Sequence, residues 1–324
     1  MLGFLARRLL ALVPLVLGGV LLGFAIVQLA PGDPVQVLVG DYPAPPDYVK
    51  QVRDRFGLDA PRWVQLGRYL GEVGRGNLGH SFFYNQPVWD VLASRIGPTL
   101  LLMGSAMALA SGAGVLLGVA GGRRPGTWPD HMLMLLGLVG YSLPVFWLGQ
   151  LLLIGVSIRL DLLPTQGMRT IAFNLSPGAR VWDVVLHLIL PALTLATRYV
   201  ALNVRLTRTS LVEVSRMDYL TTARAKGLTE RVVVYKHALR NALIPVVTVM
   251  GLDVGHLVAG AVLTETVFAW PGLGRLIFEA ILHRDYPVML GGLLLTSVFV
   301  VVGNLLADLA CALIDPRIRL ESRA

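Results

Sequence analysis

DYLTTARAKGLTERVVVYKHALRNALIP, Asp218–Pro245, is the stretch whose reading decides the fold. It is basic and amphiphilic, carrying Arg224, Lys226, Arg231, Lys236 and Arg240, and it lies between two strongly apolar segments. A single glycine, Gly227, stands where a helical pattern would have to bend. A loop this long and helix-prone exceeds what a connection between two membrane spans requires. It has the character of a docking surface for a soluble partner.

Composition supplies the setting. The chain has 324 residues, 55% hydrophobic and 15% charged, with mean hydropathy +0.66. These values exclude a soluble globular domain and point to an integral membrane protein. The one cysteine, Cys311, sits in an apolar run, so neither a disulfide framework nor a cysteine-rich metal site is available. It reads as a small buried apolar residue.

A bilayer core needs roughly 20 apolar residues in a helix. Six segments qualify: Leu9–Ala30, Thr99–Ala120, Met132–Ile158, Val184–Leu202, Leu243–Leu263 and Val288–Ile314. The fold class expected is therefore all-α, with six transmembrane helices. Arg7 and Arg8 ahead of the first segment resemble a signal-peptide start. The run is too long for one, and no A-x-A site follows, so an uncleaved first span is expected.

The net charge of +8 is unevenly placed. With the N-terminus inside, fifteen basic and six acidic residues fall on the inner face and twelve of each fall outside, with Arg198, Asp253 and Asp308 inside spans. That asymmetry obeys the positive-inside rule and puts both termini and the basic loop in the cytoplasm. It is not a nucleic-acid surface. A DNA-reading helix would have to leave the bilayer, and this one is held by spans at both ends.

Further motifs run the length of the chain. Leu29-Ala30-Pro31-Gly32-Asp33-Pro34 follows the first span. Phe56-Gly57-Leu58-Asp59-Ala60-Pro61, Gly76-Asn77-Leu78-Gly79-His80-Ser81, Pro87-Val88 and Pro98-Thr99-Leu100 come next. After the fourth span come Asp218-Tyr219, Thr222-Ala223-Arg224-Ala225-Lys226-Gly227-Leu228 and the run His237–Pro245. Glu265-Thr266-Val267-Phe268, Trp270-Pro271-Gly272-Leu273-Gly274 and Asp315-Pro316-Arg317 complete the set. In this order and spacing the chain resembles the inner-membrane permease subunit of peptide-type ABC importers, the dipeptide, oligopeptide and nickel group.

The resemblance implies a type I importer permease fold in a bacterial or archaeal cytoplasmic membrane. It implies a second homologous permease as heterodimer partner, two ATPase subunits and an extracytoplasmic substrate-binding protein. Transport would proceed by alternating access. The residues assigned to ATPase coupling are Tyr219, Leu220, Thr221, Thr222, Ala223, Arg224, Lys226, Gly227 and Leu228. The importer-wide pattern is Glu-Ala-Ala, three residues, then Gly. Here Thr221-Thr222-Ala223 and Gly227 hold that register, so a salt bridge from the missing Glu does not carry over. A nickel or metal-chelate permease is the alternative within the group, and an ion-driven secondary transporter the alternative outside it.

In a helix over the docking stretch, Leu220, Ala223 and Gly227 share a face of small residues suited to close approach by a partner. Gly227 permits a turn with positive φ. There is no G-x-x-x-x-G-K-[ST] phosphate cradle, so the chain is not expected to be an enzyme, and ATP hydrolysis would belong to separate subunits. No cofactor or metal is expected.

The organisation expected is a first segment and span, 1–30; an extracytoplasmic cap, 31–98; a permease core, 99–314, containing the coupling loop 203–241; and a tail, 315–324. Helical stretches are expected at Asp47–Phe56 and Trp63–Val73 within the cap. Its aromatic cluster of Phe82, Phe83, Tyr84 and Trp89 suits either a docking protein or the membrane interface. Asp253, an acid deep in a span, and His256 three residues on are candidate pathway residues. A local pair between them is the simpler reading. Arg198 is expected to snorkel to the cytoplasmic interface. Trp270–Gly274 reads as a turn into a short outer helix.

Overall fold

The structure is a computed structural model describing residues 14, 17–25, 50, 60–171 and 176–314. The motifs at 29–34 and 315–317, most of 56–61, and nearly all of the expected helix 47–56 lie outside the described residues. The first expected span falls largely outside them too; residues 17–25 of it are helical. Among the described residues every named element is helical, and extended pairing is limited to one bridge between His80 and Pro87.

Nine helices are labelled here. They are α1 (Arg62–Gly74), α2 (Val88–Gly122), α3 (Trp128–Ser142), α4 (Val145–Leu152), α5 (Pro177–Val214), α6 (Asp218–Ala225), α7 (Leu239–Val267), α8 (Leu273–Leu282) and α9 (Tyr286–Ile314). Two wide π-helical turns, Leu153–Arg159 and Val233–Ala238, continue α4 and lead into α7. Among the described residues four helices are long and apolar enough to cross a bilayer, and a bent pair makes a fifth crossing if counted as one.

That pair corrects the sequence reading. The expected continuous span Met132–Ile158 is broken between α3 and α4, whose axes differ by 103°. The cause is Pro144. It has no N–H to continue the helix and pushes the residue before it out of the α region. Leu143 accordingly takes φ −72°, ψ 130°. Hydropathy runs unbroken across the bend, so an apolar window cannot register it.

The bundle is built around α2 and α5. Gly114, Gly118 and Gly122 of α2 face Asn203, Thr207 and Leu211 of α5, one helical turn apart on each side. A Cβ at Gly118 would lie 2.5 Å from Cβ of Thr207 and 2.8 Å from the Val204 carbonyl. Small residues at this spacing let membrane helices approach closely where there is no hydrophobic drive to hold them. Asn203 adds a hydrogen bond from Nδ2 to the Ala110 carbonyl at 3.2 Å. Leu102, Ala106, Leu195, Leu257, Ala261 and Trp270 fill the adjoining core.

Two buried carboxylates tie the loops at the C-terminal end of α7. Glu265, fully buried at the end of α7, accepts from Thr99 Oγ1 at 2.8 Å and from the Arg275 backbone N–H at 3.0 Å. It thereby caps the N-terminus of α8 as an acceptor for one of the helix's unpaired N–H groups. Thr99 in turn accepts the Leu273 N–H, and Trp270 Nε1 donates to the Pro98 carbonyl at 2.9 Å. The stretch Trp270–Gly274 is thus a turn into a short helix, as its residues suggest, and it is bolted to α2.

Asp285, also fully buried, accepts from Ser81 Oγ and from the backbone N–H groups of Phe82 and Phe83. Of the aromatic cluster, Phe82, Phe83 and Tyr84 therefore pack on the chain's own loops, while Trp89 is exposed. Phe83 stacks on His283 with centroids 4.0 Å apart, and Tyr84 donates its hydroxyl to Glu279 at 3.1 Å. Burial, and then the Glu279 carboxylate, raise the Tyr84 pKa, so that hydroxyl stays protonated as a donor.

Candidate functional site

The docking stretch forms an elbow. Helix α6 opens with Asp218 in its first turn and closes with Arg224 in its last, both favourable to the helix dipole. Gly227 follows with φ +78°, a left-handed conformation that costs an L side chain about 1–2 kcal/mol. Its N–H bonds the Arg224 carbonyl at 2.9 Å. A short helical turn, Glu230–Val232, then enters the π-helical turn before α7.

Arg224 closes the elbow across the turn. Its Nε and Nη2 donate to Glu230 at 3.1 and 3.0 Å, and its Nη1 reaches the Ser215 carbonyl at 3.4 Å. The Glu230 hydrogen bond raises the Arg224 pKa, so the guanidinium stays charged. The pair is exposed and contributes geometry more than stability. Tyr219 ties the two arms: its hydroxyl donates to the His237 carbonyl at 3.3 Å and accepts from Asn241 Nδ2 at 2.9 Å.

The small-residue face does not point outward. Leu220 is fully buried and Ala223 nearly so, packed with Val119, Leu211, Val214, Val233 and Val234. The periodicity located a buried face correctly, but the chain's own α2 and α5 fill it. What the elbow presents to solvent is Tyr219, Thr221, Thr222, Arg224, Lys226, Gly227 and Leu228. Nothing lies within 4 Å of a Cβ built on Gly227, so that side is open. Arg123 packs over the Tyr235 ring at 5.8 Å, joining the elbow's second arm to the end of α2.

The sequence reading missed an anchor close by. Asp130, 1% exposed, takes a two-pronged contact from Arg208, with Nε at 2.6 Å and Nη2 at 2.7 Å, and accepts the Gly126 N–H at 2.9 Å. It locks the start of α3 to α5 just above the elbow. An acid two residues beyond a helix start and an arginine 78 positions on carry no spacing signal. Glu265 and Asp285 were overlooked as capping groups for the same reason. Their partners are backbone N–H groups and the hydroxyls of Thr99 and Ser81, all supplied by the fold.

Asp253 is buried on α7, 9% exposed. The side chain of His256 lies outside the described residues, so the pairing expected between them has no geometry here. Arg198 places its guanidinium 5.1 Å over the Tyr141 ring, against α3. Among the described residues no group of three or more His, Cys, Asp or Glu side chains could hold a metal ion.

Comparison with known proteins places this architecture. A di/tripeptide transport system permease protein of Pseudomonas aeruginosa (strain UCBPP-PA14) is 43% identical over 98% of this chain and 99% of its own length. An oligopeptide transport system permease protein of Bacillus subtilis (strain 168) is 38% identical, again over 98% of this chain and 99% of its own. A solved inward-facing structure of the MetNI methionine ABC transporter aligns at 19% identity with TM-score 0.49, covering 70% of this chain and 94% of that one. Residues 1–103 match the N-terminal component of binding-protein-dependent transport system membrane proteins. Residues 113–320 match the main one, so the chain belongs to the binding-protein-dependent transport system inner membrane component family.

Proposed function

We propose that this chain is one of two membrane subunits of an ATP-driven importer carrying di- and oligopeptides across the bacterial or archaeal cytoplasmic membrane. The observation that carries this is relatedness over the whole chain, 43% identical, to a permease whose name specifies di- and tripeptides. Family membership sets aside the ion-driven alternative, and the relatives' substrates favour peptides over metal chelates.

In this reading six spans cross the membrane with both termini in the cytoplasm, residues 31–98 form an outer cap, and residues 99–314 form the core. A second permease completes the pathway. Two ATPase subunits supply hydrolysis, one docking on the elbow, and a binding protein delivers substrate outside. Asp253 and His256 are candidate pathway residues on α7. The outward residues Thr221, Thr222, Lys226, Gly227 and Leu228 meet the ATPase, while Leu220, Ala223, Arg224 and Tyr219 hold the elbow rigid. ATPase movement is then transmitted through Val233–Ala238 into α7.

Gly227→Val tests the coupling. The added side chain meets backbone strain and, on its open side, the ATPase. We expect normal permease abundance, with ATPase co-purification or dipeptide uptake reduced about tenfold, given a strain near 1.4 kcal/mol. Normal co-purification together with normal uptake would remove the elbow from its role. Asp253→Asn should slow uptake with the ATPase still bound; unchanged uptake kinetics would take Asp253 out of the pathway.

A further inference from the structure

The Asp130–Arg208 pair lies beside the charged turn Arg123–Arg124 and so marks one edge of the membrane-embedded bundle. From there Arg198 is ten residues back along α5, and Tyr141 eleven residues on along α3. At 1.5 Å per residue both stand about 15 Å from that edge, half of a roughly 30 Å hydrocarbon core. The cation–ring contact at 5.1 Å is thus near the middle of the bilayer.

Arg198 is nonetheless exposed on this chain, and so is Tyr141. Among the described residues no carboxylate lies within ion-pair distance of Arg198. A charge at this depth does not face lipid; it faces a protein partner or water. The helix break supplies a second, independent observation. At Leu143–Pro144, two residues beyond Tyr141, the α3 carbonyls lose their helical partners. Irregular backbone at membrane depth is tolerated only where it is buried in protein or lines a water-filled cavity. Next to both features is a groove of about 350 Å³ between α3 and α5, with Tyr141 and Arg205 on its walls and Gly137 and Ala201 keeping it open. That volume is in the range of small-ligand sites.

We propose that Arg198, held over Tyr141 at the end of this groove, receives the terminal carboxylate of the passing substrate, supported by Arg205 on the groove wall and on the same face of α5. The inference rests on the peptide reading above. A permease that accepts varied side chains can recognise only what all peptides share, which is the backbone and its two charged ends. Guanidinium matches carboxylate with two parallel N–H donors. The Tyr141 ring, 5.1 Å from the guanidinium carbon, holds the cation in place. The C-terminal end of α3 steadies the cation between turnovers.

The test uses the assembled transporter in a Cys311→Ser background, which removes the chain's one native thiol. Arg198→Cys should lower dipeptide uptake at least tenfold with ATPase and second-permease co-purification unchanged. Aminoethyl methanethiosulfonate, which restores a positive side chain, should recover most of the uptake. The sulfonatoethyl reagent should react and recover none. If the thiol reacts with neither reagent, at rest or during ATP turnover, position 198 is packed against the second permease and the proposal fails. It fails equally if Arg198→Cys transports normally, or if both reagents recover uptake alike. An unaltered transporter that takes up no dipeptide would sink the peptide reading itself, and the carboxylate assignment with it.

Discussion

A methyl group added at Gly272 would sit 2.0 Å from Oε1 of Glu265. The carboxylate could then no longer cap α8, and Thr99 would lose its acceptor. Gly272→Ala should cost about 1–3 kcal/mol from overpacking, read as a lower unfolding midpoint of the purified protein in detergent. Gly67→Ala on α1 is the control, since nothing lies within 4 Å of a Cβ there, and it should be neutral or slightly stabilising. Equal midpoints for the two variants would show that Glu265 moves aside freely. At the Asp130–Arg208 pair, Asp130→Ala leaves a partly buried arginine without its partner and should cost about 3–5 kcal/mol. Replacing both, Asp130→Leu with Arg208→Met, should recover most of that loss. A double variant as unstable as the single one would mean that the Gly126 N–H bond, lost in both, is what matters.

At the scale of elements, the elbow stands or falls on its inward face. Leu220→Ala removes a fully buried side chain, a change that typically costs 2–5 kcal/mol. The loss is local, so the elbow should open before the bundle does. Trypsin cleavage at Arg224, Lys226 and Arg231 should accelerate about tenfold or more while the unfolding midpoint of the bundle shifts little. Unchanged cleavage would mean the elbow is held by Arg224 and Tyr219 alone. This element also marks how far the sequence could be read. Its helix, its glycine turn and its buried stripe were legible, because each follows from spacing and from the φ that Gly227 adopts. The direction of the stripe was not, because periodicity says that a face is covered and never by what. The bend at Pro144 carried a signal in Ser142-Leu143-Pro144 that hydropathy averages away. The depth of Arg198 needed the Asp130–Arg208 contact, which sets α3 against α5 only once the helices are packed.

For the whole molecule, the expected topology has a direct check. A reporter active only in the cytoplasm should work when inserted near Arg124 or fused after Ala324, and should be silent near Arg284. Activity near Arg284 would overturn the orientation. The two ends of the bundle are built differently: buried carboxylates fasten the loops that follow α7, while the elbow is carried at the start of α7 by one wide π-helical turn, Val233–Ala238. A π turn holds one residue more than an α turn over the same stretch. Removing one residue there, such as the exposed Tyr235, would let the segment relax to α-helix with its two flanks still in phase. Removing one from the regular helix that follows would instead swing the elbow about 100° around the axis of α7, and every side chain meant for the ATPase would survive, aimed at the wrong neighbour. The molecule therefore carries slack in length at this one point: a single-codon deletion in 233–238 should leave much of the uptake, and the same deletion at 239–243 should silence it.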